Sequence, residues 1–239
     1  MVSTLLILLV SAPPADLKIP QDVRAKVAVE CQSPKLTIIH IRDWHFVDKK
    51  RFTLDVRDES DKPLSDNEID ELFEEHRTVV AEIQKQQKKL IRMLGAKQIF
   101  HEGLTAKQLS AYQKRIAVLK DFKQHLGGET PLDQFMRHEF QTDMLLIGAP
   151  GQLLIDGHIK AVVPAEEAQA YEAANPVQPD GTIVFDEKAN EARESAIVKN
   201  LMKASSGTAV IVLGGAHDLS DNVPDGVRLV ELTVKAYPE

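Results

Sequence analysis

The stretch Thr208–Leu213 (TAVIVL), closed by Gly214-Gly215, constrains this chain more than any other. A short apolar run rich in β-branched residues reads as a strand buried on both faces. Such a strand needs helices on both sides of its sheet. Leu36–Ile41 (LTIIHI) has the same character, and Ala96–His101 (AKQIFH) reads as a second short strand. Between them, Asn67 to Leu94 places Ile69, Leu72, Phe73, Val79, Val80, Ile83, Leu90, Ile91 and Leu94 on one stripe. That pattern predicts a long amphipathic helix, capped by Ser65 or Asp66 and ended by Gly95. His76 falls at the margin of the stripe.

The rest of the chain continues the alternation. Helices are expected over Thr105 to Leu126, Pro131 to Gln141, Ala165–Ala174 and Glu187–Ala204. Met144–Ile147 (MLLI) reads as a third strand, broken by Gly148-Ala-Pro-Gly151. Leu153–Ile155, Asp156-Gly157 and His158–Val163 read as a hairpin with an Asp-Gly turn. Val227–Val234 (VRLVELTV) alternates and suits a sheet edge. The charged stretch Asp48 to Asp66 reads as solvated loop, with Trp44 packed beneath it. Strands alternating with helices predict an α/β fold: a mainly parallel sheet flanked by helices, with a long amphipathic helix and a small hairpin insertion.

Composition narrows the function. Apolar residues at 43 % and charged residues at 27 % are ordinary for a globular chain. Aromatics at 5 % leave the core to Leu, Ile, Val and Ala. A net charge of −7 and no basic stripe argue against nucleic acid as a partner. Cys31 is the only cysteine, so neither an internal disulfide nor a cysteine zinc cluster is expected. Thr4 to Val10 is too short an apolar run to span a bilayer, and no transmembrane span is expected. It resembles the core of a secretory signal, with Ala12 or Ala15 near a cleavage point, although no Lys or Arg precedes it. We read residues 1–20 as a truncated signal or a misplaced start, and residues 21–239 as a single α/β domain. A working signal implies export, for example to a periplasm; without one the protein stays in the cytoplasm.

In an open parallel sheet, ligands sit just past the carboxyl ends of the strands. The first strand exits into Arg42-Asp43-Trp44-His45, the second into His101-Glu102-Gly103, and the late one into Gly214-Gly215-Ala216-His217-Asp218. Convergence of three such ends on one rim is the informative feature. Gly214 and Gly215 allow close backbone approach, and their N–H groups would suit an anion, an oxyanion or a cofactor group. Arg193 lies on the helix before the last of these strands, with Ala196, Ile197, Asn200 and Leu201 at helical spacing. On spacing alone it is a solvated helix charge. As a bidentate clamp it would meet Glu102 or Asp43.

The set Asp43-x-His45, Glu102 after a strand, Arg193-Glu-x-x-Ile-Val-x-Asn200 and Gly214-Gly-x-His217 resembles the superfamily of erythromycin esterases, TraB/PrgY and Tiki proteins, and ChaN-type haem-uptake proteins. The likeness runs in order over roughly residues 35–234 and rests on a handful of positions. Arg42 stands where that superfamily usually has Gly, and Asp43 where many members have Glu. Glu166 and Glu167 both compete for its later acidic position. The resemblance implies either hydrolysis or haem-iron binding.

Two histidines and two carboxylates (Asp43, His45, Glu102 and His217) suit Zn²⁺, Mn²⁺ or Fe²⁺, which would activate a water. The same residues also suit a metal-free hydrolase, with His45 or His217 as base and Arg193 facing the oxyanion. No Gly-x-Ser-x-Gly elbow and no phosphate-binding glycine loop occur. Hydrolysis of an ester or peptide bond in a small-molecule or peptide substrate is the first expectation, because Trp44, Phe46, Phe100 and a few tyrosines are a thin lining for a haem slot. Haem binding through His45, Tyr112 or Tyr171, with Trp44 and Phe46 against the porphyrin, is the alternative. A degenerate site ranks third.

Overall fold

The computed structural model describes residues 19–60, 62–177, 182 and 184–238. The signal reading of residues 1–20 falls almost wholly outside them. Ile19, the first described residue, packs against the core.

The fold is α/β. Six strands, β1 (Val23–Val29), β2 (Leu36–Asp43), β3 (Gln98–Thr105), β4 (Ala161–Glu166), β5 (Gly207–Gly214) and β6 (Val227–Val234), form one sheet in the order β1-β6-β2-β5-β3-β4. All neighbours are parallel except β1 and β6. Seven α-helices accompany the sheet among the described residues. They are α1 (Lys49–Glu59), α2 (Asp66–Leu94), α3 (Leu109–Phe122), α4 (Pro131–Leu146), α5 (Gly148–Ile155), α6 (Ala168–Ala173) and α7 (Glu187–Ala204).

Strand alternation divides the core between two faces. Ile39, Ile41, Val210, Val212, Val230 and Leu232 pack with Ile83, Leu90 and Ile91 of α2 and Leu153 of α5. Ile38, Ile211, Leu213 and Leu229 pack with Ile197, Val198 and Leu201 of α7. The long helix starts on a Ser65–Glu68 capping box and stops where Gly95 turns left-handed at φ 67°.

Four expectations are corrected. Met144–Ile147 is not a strand: Met144 to Leu146 close α4, where Leu145 is buried against Phe46, Phe73 and Val80. A four-residue apolar run carries too little period to separate helix from strand. The hairpin is absent because Leu153–Ile155 ends α5. Asp156-Gly157 turns the chain out of that helix, with Gly157 at φ 73°, and β4 then pairs in parallel with β3. Part of the charged stretch forms α1, capped by Asp48 and anchored by Phe52 against Phe73 and His76. Trp44 accordingly packs edge-on to Tyr237, at a centroid distance of 5.8 Å. Finally, β6 is not an edge, because β1 (VRAKVAV) covers it; the Arg24 and Lys26 alternation suits that outer position.

Candidate active site

Strand order brings the site together. In β2-β5-β3 the carboxyl ends of three strands lie side by side, and Asp43 pairs in register with Gly214. The pairing of β3 with β4 slips between His101 and Thr105, around Gly103 at φ 71°. This bulge re-aims Glu102, which therefore sits within β3 rather than beyond it.

From there a chain of hydrogen bonds runs through the site. Gln87 Nε2 donates to Asp43 Oδ1 at 2.8 Å, and Asp43 Oδ2 lies 3.0 Å from His45 Nδ1. His45 Nε2 is 2.8 Å from Glu102 Oε2, and the other oxygen of Glu102 is 3.1 Å from His217 Nε2. His217 Nδ1 meets Glu194 Oε1 at 2.8 Å, and Asn190 Nδ2 donates to that same oxygen at 2.9 Å. Each histidine thus rests its Nδ1 on an outer carboxylate and turns its Nε2 to Glu102.

Arg193 closes the site. Its Nη2 donates to Glu102 at 3.0 Å and to Glu166 at 2.5 Å, while Nε donates to Glu166 at 3.1 Å. The buried-clamp alternative for Arg193 is therefore the one realised, with Glu102 as the expected partner and Glu166 as the second. Between the two later acids, Glu166 belongs to the site: it also accepts from Gly103 N–H at 3.1 Å. Glu167 instead caps α6 by accepting from Ala170 N–H.

The glycine amides are not free for an anion, contrary to expectation. Gly214 N–H donates to Glu102 at 2.6 Å, and Gly215 N–H donates to the Asp43 carbonyl at 3.1 Å. Gly214 is needed for clearance. A Cβ there would lie 3.0 Å from His45 Nε2 and 3.2 Å from Glu102 Oε2.

Glu194, Asn190 and Gln87 were missed as site residues. A signal for two of them existed. Glu194 shares the buried face of α7 with Ile197, Val198 and Leu201, and Gln87 shares that of α2 with Val80, Ile83, Leu90 and Ile91. A polar residue on an apolar helical stripe needs a buried partner.

The electrostatics follow from the alternation of signs. Burial works against a proton on His45, but its hydrogen bonds to Asp43 and Glu102 prevail and push its pKa up to about 11. Burial likewise opposes His217, yet Glu102 and Glu194 raise it to about 9. Burial alone would raise Glu102; His217 and His45 hold it well below the usual carboxylate range. Asp43 is lowered in the same way by His45 and Gln87 against its burial.

Beside this chain of bonds lies a cavity of about 520 Å³, whose lining includes His45, Glu102 and Arg193 together with Leu104, Leu146 and Ile147. Tyr171 covers Arg193, its ring 5.1 Å from the guanidinium carbon.

The site residues fit a divalent metal poorly as arranged. Carboxylate-backed histidines are the usual support for metal ligands. Here the Arg193 guanidinium, 3.0 Å from Glu102 and 3.4 Å from His217 Nε2, sets a fixed positive charge against two of the candidate ligands. Among the described residues, no group of three or more His, Cys, Asp or Glu is placed to hold a metal ion. Haem fits no better. Both nitrogens of His45 are taken by carboxylates, Trp44 is turned to Tyr237, and Tyr112 Oη is closed off from solvent.

No family model, curated protein or solved structure matches this chain. Among the described residues, no helix is long and apolar enough to cross a membrane.

Arg193→Lys should not rescue the site. An ammonium offers a point charge in place of a planar fork, so Glu102 and Glu166 cannot both keep their bonds. We expect a loss of about 1–3 kcal/mol in urea unfolding. Unchanged stability would return Arg193 to the role of a surface charge.

Proposed function

We propose that this chain is a hydrolase of an ester or amide bond that works without a bound metal, and that it belongs with the erythromycin esterase, TraB/PrgY, Tiki and ChaN-type superfamily its motifs resemble. The observation that carries the reading is the 2.8 Å contact between His45 Nε2 and Glu102 Oε2 at the wall of a cavity, which raises the pKa of the histidine and lowers that of the carboxylate. An acid and a base in contact are stored there, each backed by a further group.

In this reading water and substrate enter between the two. Separation removes the attraction that holds their pKa values apart, so both move toward neutrality, where general acid–base transfer is effective. Glu102 takes a proton as the water oxygen bonds to the carbonyl carbon. Arg193 faces the charge growing on the carbonyl oxygen. The bond to the leaving group then breaks, and His45 Nε2 gives that group a proton while Asp43 orients the ring. Proton return from Glu102 to His45 across their contact restores the starting state. His217, held by Glu194, keeps Glu102 in place.

The test is a panel of neutral esters and amides, with and without a chelator. Turnover should survive chelation, and His217→Ala should lower it about a hundredfold while far-ultraviolet circular dichroism stays unchanged. Activity that vanishes with chelator and returns with Zn²⁺, Mn²⁺ or Fe²⁺ would overturn the metal-free reading. No turnover across the panel, alongside tight haem binding, would put the haem reading first.

A further inference from the structure

A carbonyl oxygen entering beside Glu102 meets few free donors. Arg193 directs Nε and Nη2 at Glu166 and Glu102, which leaves Nη1, 3.4 Å from His217 Nε2. The amides of Gly103 and Gly214 donate to Glu166 and Glu102, and that of Gly215 donates to the Asp43 carbonyl. Both ring nitrogens of His45 rest on carboxylates. Tyr112, one of two tyrosines lining the cavity, has its Oη closed off from solvent.

Tyr171 is the other, and its hydroxyl is open. Among the described residues that oxygen has no hydrogen-bond partner, yet it is not closed off from solvent. Helix α6 fixes the residue, whose N–H donates to the Glu167 carbonyl at 2.9 Å. The ring lies 5.1 Å from the guanidinium carbon of Arg193. A Cβ on Gly103 would lie 3.7 Å from Tyr171 Oη, so the hydroxyl sits against the bulge that aims Glu102. Burial pushes the phenol pKa up, against the pull of Arg193 and with the help of Glu166 and Glu102. At neutral pH the group therefore keeps its proton and can donate it to a hydrogen bond.

We propose that Tyr171 is a catalytic residue of this site, and that its O–H, together with Arg193, donates to the carbonyl oxygen of the substrate. As the water oxygen bonds to the carbonyl carbon and gives a proton to Glu102, the π pair of the carbonyl moves onto its oxygen. The hydrogen bond from Tyr171 strengthens with that charge. The pair returns to the carbonyl when the bond to the leaving group breaks, and the phenol keeps its proton throughout. Because the charge exists only near the transition state, the hydroxyl lowers the barrier more than it aids substrate binding. A tyrosine that only covered Arg193 would act through its ring, which phenylalanine also supplies. The proposal rests on the hydrolase reading of the same site.

The experiment compares the parent protein with Tyr171→Phe on the ester or amide of the panel that is turned over fastest. Each is also inhibited with the phosphonate of the same acyl group, for example methyl phenylphosphonate against methyl benzoate. Its tetrahedral anion carries the charge that the carbonyl oxygen acquires. In Tyr171→Phe, kcat should fall about a hundredfold, the cost of removing one oxyanion donor, with KM nearly unchanged. The phosphonate should bind at least about tenfold more weakly. The circular dichroism spectrum and urea midpoint should stay as in the parent, since the ring over Arg193 is kept. A variant with the parent's kcat, a loss confined to KM, or unaltered phosphonate inhibition would each overturn the proposal while the hydrolase reading stands. A parent that hydrolyses nothing in the panel would overturn the hydrolase reading itself, and this proposal with it.

Discussion

Glu102→Gln should cut turnover steeply and also destabilise the fold, more at pH 6 than at pH 9. One carboxylate here accepts from His45, His217, Arg193 and the Gly214 amide. The amide of Gln keeps the shape but removes the only charge shared by three cations. Breaking a buried ion pair by removing one partner costs about 3–5 kcal/mol. Part of this is recovered once the histidines lose their protons, because an uncharged imidazole no longer needs the carboxylate. The expected urea-unfolding loss therefore shrinks as pH rises. Turnover should fall by about 10²–10⁴ at every pH, since the proposed base is gone. A variant with unaltered stability at pH 6 would show that the charges are solvated rather than coupled. A variant with full turnover would remove Glu102 from the chemistry.

The second large effect is a fall in stability on the alkaline side of neutrality. His217 has an ordinary pKa of 6.5 and a folded value of about 9. A group raised in this way stabilises the fold fully below its unfolded value and loses that contribution as pH rises through its folded value. Stability should accordingly decline from about pH 6.5 to about pH 9 as His217 loses its advantage, by on the order of 2–3 kcal/mol. His45 extends the decline toward pH 11, where its own proton leaves. Its side chain is 49 % exposed, so screening by water makes its share the smaller one. Glu102 and Asp43, held low, act with the opposite sign: their contribution is present above their ordinary values of 4.5 and 3.8 and fades in acid. These carboxylates and histidines describe the same bonds from two sides, so their contributions do not add. Maximum stability is expected between about pH 4.5 and 6.5. Unfolding midpoints in urea at pH 6, 7.5 and 9 would check this. A flat profile over that range would mean that the histidines are not held protonated. The slope should lessen in His217→Ala.

Much of this was legible in the chain. Short β-branched runs and long amphipathic stretches are local patterns, and they determined the α/β class, the helix that ends at Gly95 and the buried strand that ends at Gly214-Gly215. They also placed Asp43, His45, Glu102 and His217 at or just beyond strand ends, because alternation of strand and helix makes those ends the rim of a parallel sheet. Turn chemistry was less informative. Asp156-Gly157 serves a helix exit as well as a hairpin, and nothing local distinguishes the two.

What only the tertiary structure decided was pairing. Strand order depends on which edges meet, an energy spread over residues far apart in sequence, and β2-β5-β3 is what puts three strand ends within hydrogen-bonding reach. The bulge at Gly103 aims Glu102 inward, and Arg193 chose Glu166 over solvent because α7 packs against the sheet beside β4. Glu194 and Gln87 show the limit most plainly. Their sequence places them on apolar stripes, where a polar group is costly unless paired, but the partners that make them tolerable, His217 and Asp43, are contributed by strands elsewhere in the fold.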